Sequence, residues 1–338
     1  MRTRNYLCAT LCTSALLGLI DLIWLSRSQV RFSPTNWRDI VGVGLCICIA
    51  GLISWLVSWR VRGDQSQMGL VVRKASDSLG SLALAGAAFV PLLIGSTILM
   101  HVASATARPL EDAELAYIDS RLGFDWLWFL AVTNHKLIAP ALSIAYHFLG
   151  PQVPFVFLLN IVKSRNDRLL EFITLLAMSS ILAGGIMAFV PAEGAYAYFK
   201  PSADQFSHFT GHAGMWHYKT LMALRSGEPF DLIMTNSSGL VTFPSYHTAL
   251  GIIIVYALRD YRRLFWSLAC LNGVMIIATL PEGGHHLIDV LAGSMVGLVS
   301  IVATRIIGAY EGRQAGNPDN IGNRPITLHC GASPIKGQ

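Results

Sequence analysis

The chain alternates between long apolar stretches and short polar ones. Eight stretches are almost free of charged side chains, and only Asp21 and Asp289 interrupt the first and the last. They cover residues 6–26, 40–59, 79–104, 137–162, 172–192, 246–258, 264–281 and 286–304. A helix needs about 20 mostly apolar residues to cross a bilayer. The sixth stretch is short, and we extend it backwards through residues 232–245 to reach that length.

These stretches are continuous rather than alternating, which favours helices over the strands of a barrel. The pattern therefore predicts an all-α, polytopic membrane bundle of about eight transmembrane helices.

Composition agrees with this fold class and excludes others. Hydrophobic types make up 53% of the 338 residues and charged types only 13%, whereas soluble domains carry about a quarter charged residues. The net charge is +5, and the basic residues lie in short loops, so no clustered basic face is present to bind nucleic acid. The six cysteines show neither a disulfide framework nor a zinc-binding spacing.

Basic residues predict the orientation of the bundle. Arg and Lys are most compact at residues 163–168 and 259–263, and such clusters mark the cytoplasmic side. With eight spans, both termini are then cytoplasmic. Arg2 and Arg4 precede an apolar stretch as in a signal peptide, but no cleavage site of the A-x-A kind follows, so we expect a retained anchor.

Three polar segments are long. Residues 105–136 are acidic and aromatic, which is typical of an amphipathic piece at the membrane interface. Residues 193–242, the long loop, are rich in Gly, His, Tyr and Ser, and we expect a lid or a mobile segment. Residues 311–338 are predicted to be a disordered cytoplasmic tail.

Two histidine-bearing segments begin the sixth and the eighth stretch. Residues 243–247 read Phe-Pro-Ser-Tyr-His, and residues 281–293 contain His285, His286 and Asp289. In the predicted topology both segments lie on the non-cytoplasmic side. They can therefore meet in one site.

His285 and Asp289 are four residues apart, so on a helix they share one face. The carboxylate can accept a hydrogen bond from one imidazole nitrogen and leave the other free as a base or nucleophile. His247 can supply a second proton-transfer group. Ser245 and the helix start after Pro244 form a natural seat for an anion, and together these groups suit a phosphate ester.

Residues 243–247 resemble the second signature, P-S-G-H, of the type 2 phosphatidic acid phosphatase superfamily. His285-x3-Asp289-Val290-x2-Gly293 resembles the third, whose full form is S-R-x5-H-x3-D. The resemblance implies a catalytic core of six membrane helices, here residues 79–310, preceded by two accessory helices in residues 1–78.

The resemblance also implies roles. His285 would be the nucleophile that forms a phosphohistidine, and Asp289 would orient it. His247 would protonate the leaving oxygen, and Ser245 would bind phosphate. Neither a metal nor another cofactor is implied.

The chain departs from the superfamily pattern at three points. Thr279 stands where the third signature has Arg, Tyr246 stands where the second has Gly, and the first signature, K-x6-R-P, is missing after the fifth stretch. The phosphate must therefore find other partners. The candidate substrate-binding residues, besides Ser245, are Tyr246, His286, Lys200, Lys219 and Arg225.

Three of these features resemble the inositol phosphorylceramide synthase branch. They are the bulky Tyr246 in place of Gly, the paired histidines His285 and His286, and the loss of the Arg at position 279. We therefore expect a phosphotransferase, with a phospholipid or lipid-linked phosphate as substrate and an alcohol as a possible acceptor, in a bacterial inner membrane.

A lipid phosphate or diphosphate phosphatase is the main alternative. A zinc hydrolase using His247, His285, His286 and Asp289 is another. The last is a transporter or scaffold without enzymatic activity, although no internal repeat is present.

Overall fold

The computed structural model describes residues 2–237 and 239–314 and confirms an all-α bundle. In this part of the chain the helices are α1 (Arg2–Leu25), α2 (Thr35–Arg60), α3 (Gln67–Ser104), α4 (Asp112–Arg121), α5 (Trp126–Thr133), α6 (Ile138–His147), α7 (Leu149–Val162), α8 (Asn166–Phe189), α9 (Ala195–Phe199), α10 (Tyr218–Arg225), α11 (Tyr246–Ala257), α12 (Arg262–Ala278) and α13 (Leu287–Gln314). The predicted tail overlaps the last turn of α13, and its remainder lies outside the described residues.

Within the described residues, six helical segments are long and apolar enough to cross a membrane. They are Arg2–Leu25, Thr35–Arg60, Gln67–Ser104, Ile138–Val162, Asn166–Phe189 and Leu287–Ala309. Each overlaps one of the predicted stretches, and the fourth joins α6 to α7. The chain is an integral membrane protein.

The sixth and seventh predicted stretches form shorter helices, α11 with 12 residues and α12 with 17. The backward extension of the sixth stretch through residues 232–245 is wrong. Helix α11 begins at Tyr246, because Ser245 has extended backbone angles and its hydroxyl accepts a hydrogen bond from the Thr248 amide. Ser is a favoured residue for this capping role.

Helix α8 lies at the centre of the bundle. Its buried apolar side chains, among them Leu170, Phe172 and Leu175, lie on different faces of the helix. Accordingly α8 contacts α1, α3, α7, α11 and α13. Helix α2, in contrast, packs mainly on α3 and exposes Leu45 and Trp55. A helix buried on all sides is a core helix, and an apolar helix exposed on one side is suited to contact with lipid.

The acidic and aromatic segment at residues 105–136 forms α4 and α5 and packs onto the core. Trp126 and Leu130 of α5 are almost completely buried, and the Trp126 ring stacks on Phe199 at a centroid distance of 5.4 Å. Helix α4 contacts α9 and α13. This segment therefore forms part of the wall around the start of α13.

The long loop is built from short ordered elements. It contains α9, α10 and a strand, β2 (Phe230–Leu232), which pairs in parallel with β1 (Val30–Phe32). The Asn36 side chain reinforces the pair, because its amide donates to the Leu232 carbonyl at 2.8 Å and its oxygen accepts from the Met234 amide at 3.0 Å. The connection between α1 and α2 is thus bound to the long loop.

Candidate active site

A cavity of about 420 Å³ lies where α6, α11, the long loop and the segment before α13 meet. His247 and His285 both line it, and their ring centroids are 6.4 Å apart. The two histidine-bearing segments, which are 38 residues apart in sequence, therefore converge as the topology predicts.

His285 is held by Asp289. The His285 Nδ1 atom lies 3.1 Å from Asp289 Oδ2, and the same carboxylate oxygen accepts the His286 amide at 2.9 Å. The indole of Trp126 donates to the His285 carbonyl at 3.1 Å. Because Nδ1 faces the carboxylate, Nε2 is the nitrogen that is free to act as a nucleophile.

His247 is placed by the first turn of α11. Its ring stacks on Tyr146 of α6, with centroids 4.6 Å apart and an interplanar angle of 21°. This stacking fixes the ring plane without using a ring nitrogen. His247 is therefore free to exchange a proton with a group bound between it and His285.

Ser245 does not line the cavity. Its side chain is completely buried, its hydroxyl caps α11, and its amide donates to the Asp289 carbonyl at 2.9 Å. A side chain at Gly293 would collide with the Ser245 backbone, so the glycine allows α13 to approach the start of α11. Ser245 therefore aligns the two histidine-bearing helices instead of binding phosphate as predicted.

Tyr246 does line the cavity. Its hydroxyl, however, lies 3.3 and 3.1 Å from the hydroxyls of Ser179 and Ser180 on α8. The ring forms part of the cavity wall, and the polar atom ties α11 to α8.

His286 points away from the cavity, which contradicts its predicted contact with substrate. The ring is completely buried, with Nε2 3.5 Å from an Asp112 oxygen and Nδ1 3.7 Å from an Asp119 oxygen. Burial by itself lowers the pKa of His286, but the two facing carboxylates outweigh it and raise the pKa to about 9. The residue is therefore a buried cation that forms ion pairs.

The two carboxylates also bind backbone amides. Asp119 accepts from the Leu287 and Ile288 amides at 2.7 and 2.8 Å, and Asp112 accepts from the Glu193 and Gly194 amides, each at 2.8 Å. The first amides of a helix have no hydrogen-bond partner within that helix. Asp119, which belongs to α4, supplies this partner for the first turn of α13.

The predicted cations of the long loop are not part of this cavity. Lys200 follows α9 and Lys219 lies on α10, both exposed. Arg225 donates to the carbonyls of Thr106 and Arg108. Among the described residues that line the cavity, none is lysine or arginine.

The family model of the PAP2 superfamily matches residues 113–303, which is more than half of the chain. The chain belongs to the PAP2 superfamily. Comparison with curated proteins and with solved structures gives no match. PAP2 proteins are phosphatases or phosphotransferases, and the chain is an enzyme of this general class acting on lipid phosphates.

The PAP2 match extends from α4 into α13 and includes His247, His285 and Asp289. Helices α1, α2 and α3 precede it. The core expected from sequence begins at residue 79, so it includes the last two thirds of α3, which the match does not cover.

Two histidines and a glutamate around the cavity were not predicted from the sequence. His147 and His217 line it, and Glu282 lies behind His147 with Oε1 3.2 Å from His147 Nε2. His217 and His147 look like ordinary interface histidines in the sequence. Glu282 stands inside the second histidine-bearing segment, and a carboxylate three residues before His285 was the one available signal.

His217 is held in a neutral form. Its Nε2 lies 2.9 Å from the Glu193 carbonyl, to which it donates. Burial, assisted by nearby His285, lowers the pKa of His217 although the hydrogen bond opposes this. Nδ1 is then the unprotonated nitrogen.

The zinc site of the competing hypothesis is not assembled here. It requires His286 beside His285, but His286 faces Asp112 and Asp119 instead. No group of three or more His, Cys, Asp and Glu side chains in the described residues is arranged to hold a metal ion.

Proposed function

We propose that this PAP2 protein transfers a phospho-alcohol group from a lipid-linked phosphate ester, as an inositolphosphotransferase does, through a phosphohistidine on His285. The observation that supports this is the His285–Asp289 pair facing His247 across one cavity, with ring centroids 6.4 Å apart. In this proposal the phosphoryl group lies between the two imidazoles, with about 3–3.5 Å between each pair of reacting atoms.

The steps follow from this placement. His285 Nε2 attacks phosphorus, an N–P bond forms, the P–O bond to the lipid breaks, and His247 gives its proton to the leaving oxygen. His247 then takes a proton from the acceptor hydroxyl. The acceptor oxygen attacks phosphorus and the N–P bond breaks, which restores His285.

The charge of the cavity favours a diester over a monoester. A phosphate monoester carries nearly two negative charges at neutral pH and a diester carries one. A cavity whose described lining has no lysine or arginine suits the smaller charge. This observation favours transfer between alcohols over hydrolysis of a phosphomonoester, which is the alternative activity.

The test is a rapid-quench experiment with the full-length protein and ³²P-labelled phosphatidylinositol, phosphatidylglycerol and phosphatidic acid in mixed micelles. We expect an acid-labile, base-stable label on the peptide that contains His285, and none in His285→Ala. Turnover without label, or label on another residue, contradicts the mechanism. Free alcohol acceptors separate the two activities, because a transferase forms a new ester whereas a phosphatase releases inorganic phosphate regardless.

We also propose that both termini face the cytoplasm and that the cavity opens on the other side, in a bacterial inner membrane. The ends of α8 and α11 that are distant from the cavity carry Arg165, Arg168 and Arg259. This agrees with the preference of basic residues for the cytoplasmic side.

A further inference from the structure

Phosphate brings negative charge into a cavity with unusual walls. Its described lining contains four histidines, His147, His217, His247 and His285, and no lysine or arginine. An anion that leaves water needs charged or strongly polar partners. Any cationic partner in this lining is therefore an imidazolium.

Three of these histidines have other tasks. His285 is the proposed nucleophile, which needs a free nitrogen, and His247 is the proposed proton donor and acceptor. His217 donates to the Glu193 carbonyl and is held neutral by burial. His147 remains, in the last turn of α6, with 49% of its side chain exposed.

His147 rests on a buried carboxylate. Glu282 has no solvent exposure, and its oxygens accept the Ser143 hydroxyl at 2.6 Å as well as the hydroxyl and the amide of Thr210. These donors hold the carboxylate in place, and an ionised carboxylate only accepts hydrogen bonds. His147 Nε2, 3.2 Å away, therefore carries a proton toward Glu282.

We propose that His147, held by Glu282, is the cationic residue that binds the phosphate group of the substrate. As an imidazolium it donates Nε2–H to Glu282 and Nδ1–H to a phosphate oxygen, and such charge-assisted hydrogen bonds are stronger than neutral ones. The ring is supported on its sides by Tyr146 and Trp216, at centroid distances of 5.3 and 6.0 Å. The inference rests on the proposed function, because it assigns the cation that the phosphate of that reaction requires.

The experiment measures binding of inorganic phosphate to the full-length protein in detergent by calorimetry at pH 7. The variants are His147→Gln, which removes the charge, and His147→Lys, which restores one. The control is His208→Gln, because His208 is an exposed histidine of the long loop that does not line the cavity. We expect His147→Gln to weaken binding about tenfold or more, His147→Lys to stay within about threefold of the unmodified protein, and the control to bind normally.

The proposal is overturned if His147→Gln binds phosphate with unchanged affinity, or if His147→Lys binds as weakly as His147→Gln. Loss of binding in His208→Gln as well would also overturn it, because the effect would then not belong to the cavity. If the unmodified protein binds no phosphate, this inference fails, and the rapid-quench label on His285 decides separately whether the proposed function fails too.

Discussion

Asp289 serves His285 through a single carboxylate oxygen. Oδ2 faces both His285 Nδ1 and the His286 amide, while Oδ1 has no hydrogen-bond partner among the described residues. The carboxylate therefore selects the tautomer of His285, and in the proposed mechanism it balances the charge of the imidazole during attack. It does not line the cavity itself.

This geometry ranks two substitutions. His285→Ala removes the nitrogen that attacks phosphorus in the proposed mechanism, and we expect turnover to fall to background. Asp289→Asn keeps the nucleophile but no longer selects its tautomer, and we expect kcat to fall by about 100- to 10,000-fold. Single-turnover rates on matched amounts of folded protein check this order. An Asp289→Asn enzyme that is as inactive as His285→Ala would assign the carboxylate a larger part than orientation.

At this scale, local patterns were predictable and distant partners were not. The spacing of His285 and Asp289 and their position at a helix start are local features, and the structure confirms that they pair. Glu282 meets His147 across 135 positions and Ser143 across 139. The predicted contact of His286 with substrate was wrong for the same reason. The carboxylates that His286 faces instead belong to α4, which is distant in sequence.

Among the elements, the start of α13 has the most elaborate support. Asp119 of α4 binds its first amides, and His286 lies as a cation between Asp119 and Asp112. Because the pKa of His286 is raised, the stability that these ion pairs give to the folded protein depends on pH. Since its pKa is about 9 in the folded protein and about 6.5 in an unfolded chain, the stabilisation is complete below about pH 6.5.

We therefore expect the Tm of the detergent-solubilised protein to fall as the pH rises from about 7 to above 9, where the ion pairs are lost. The pKa difference corresponds to roughly 3 kcal/mol. His286→Gln should have a lower Tm at pH 7 and a flatter dependence on pH over this range. An unmodified protein whose Tm is constant from pH 7 to 10 would show that His286 is not a buried cation.

Element boundaries followed the apolar pattern except near the site. Charge-free stretches locate the spanning helices because lipid demands them. Helix α11 is shorter than the length that is needed to cross a bilayer, and the Ser245 cap fixes its start. The order within the long loop depends on strand pairing with residues 30–32, which no local pattern reveals.

For the molecule as a whole, ion pairs of arginine mark one end of the bundle, and the cavity lies at the other. Arg168 and Arg259 meet Glu171 at the start of α8, and Arg165 and Arg168 meet Asp260 after α11. The cavity lies at the opposite end of α11. The arginine-rich end is the one that the proposed orientation places on the cytoplasmic side.

Two variants, each with one added cysteine, test this orientation. Ser207→Cys in the long loop should react with a membrane-impermeant maleimide in intact cells, and Arg262→Cys at the start of α12 only after permeabilisation. Both positions are exposed. The unmodified protein is the control, because five of its six cysteines, Cys8, Cys12, Cys46, Cys48 and Cys270, lie in the described residues and are also exposed. The reverse labelling would place the cavity in the cytoplasm.

The strand pair β1–β2 has a consequence for truncation. It joins residues 30–32, between α1 and α2, to residues 230–232 of the long loop, and the same loop supplies Trp216 and His217 to the cavity lining. A shortened protein limited to residues 113–303 would retain His247, His285 and Asp289 but would lack β1. A fragment chosen from the family match alone would thus leave the edge of β2 without its partner strand.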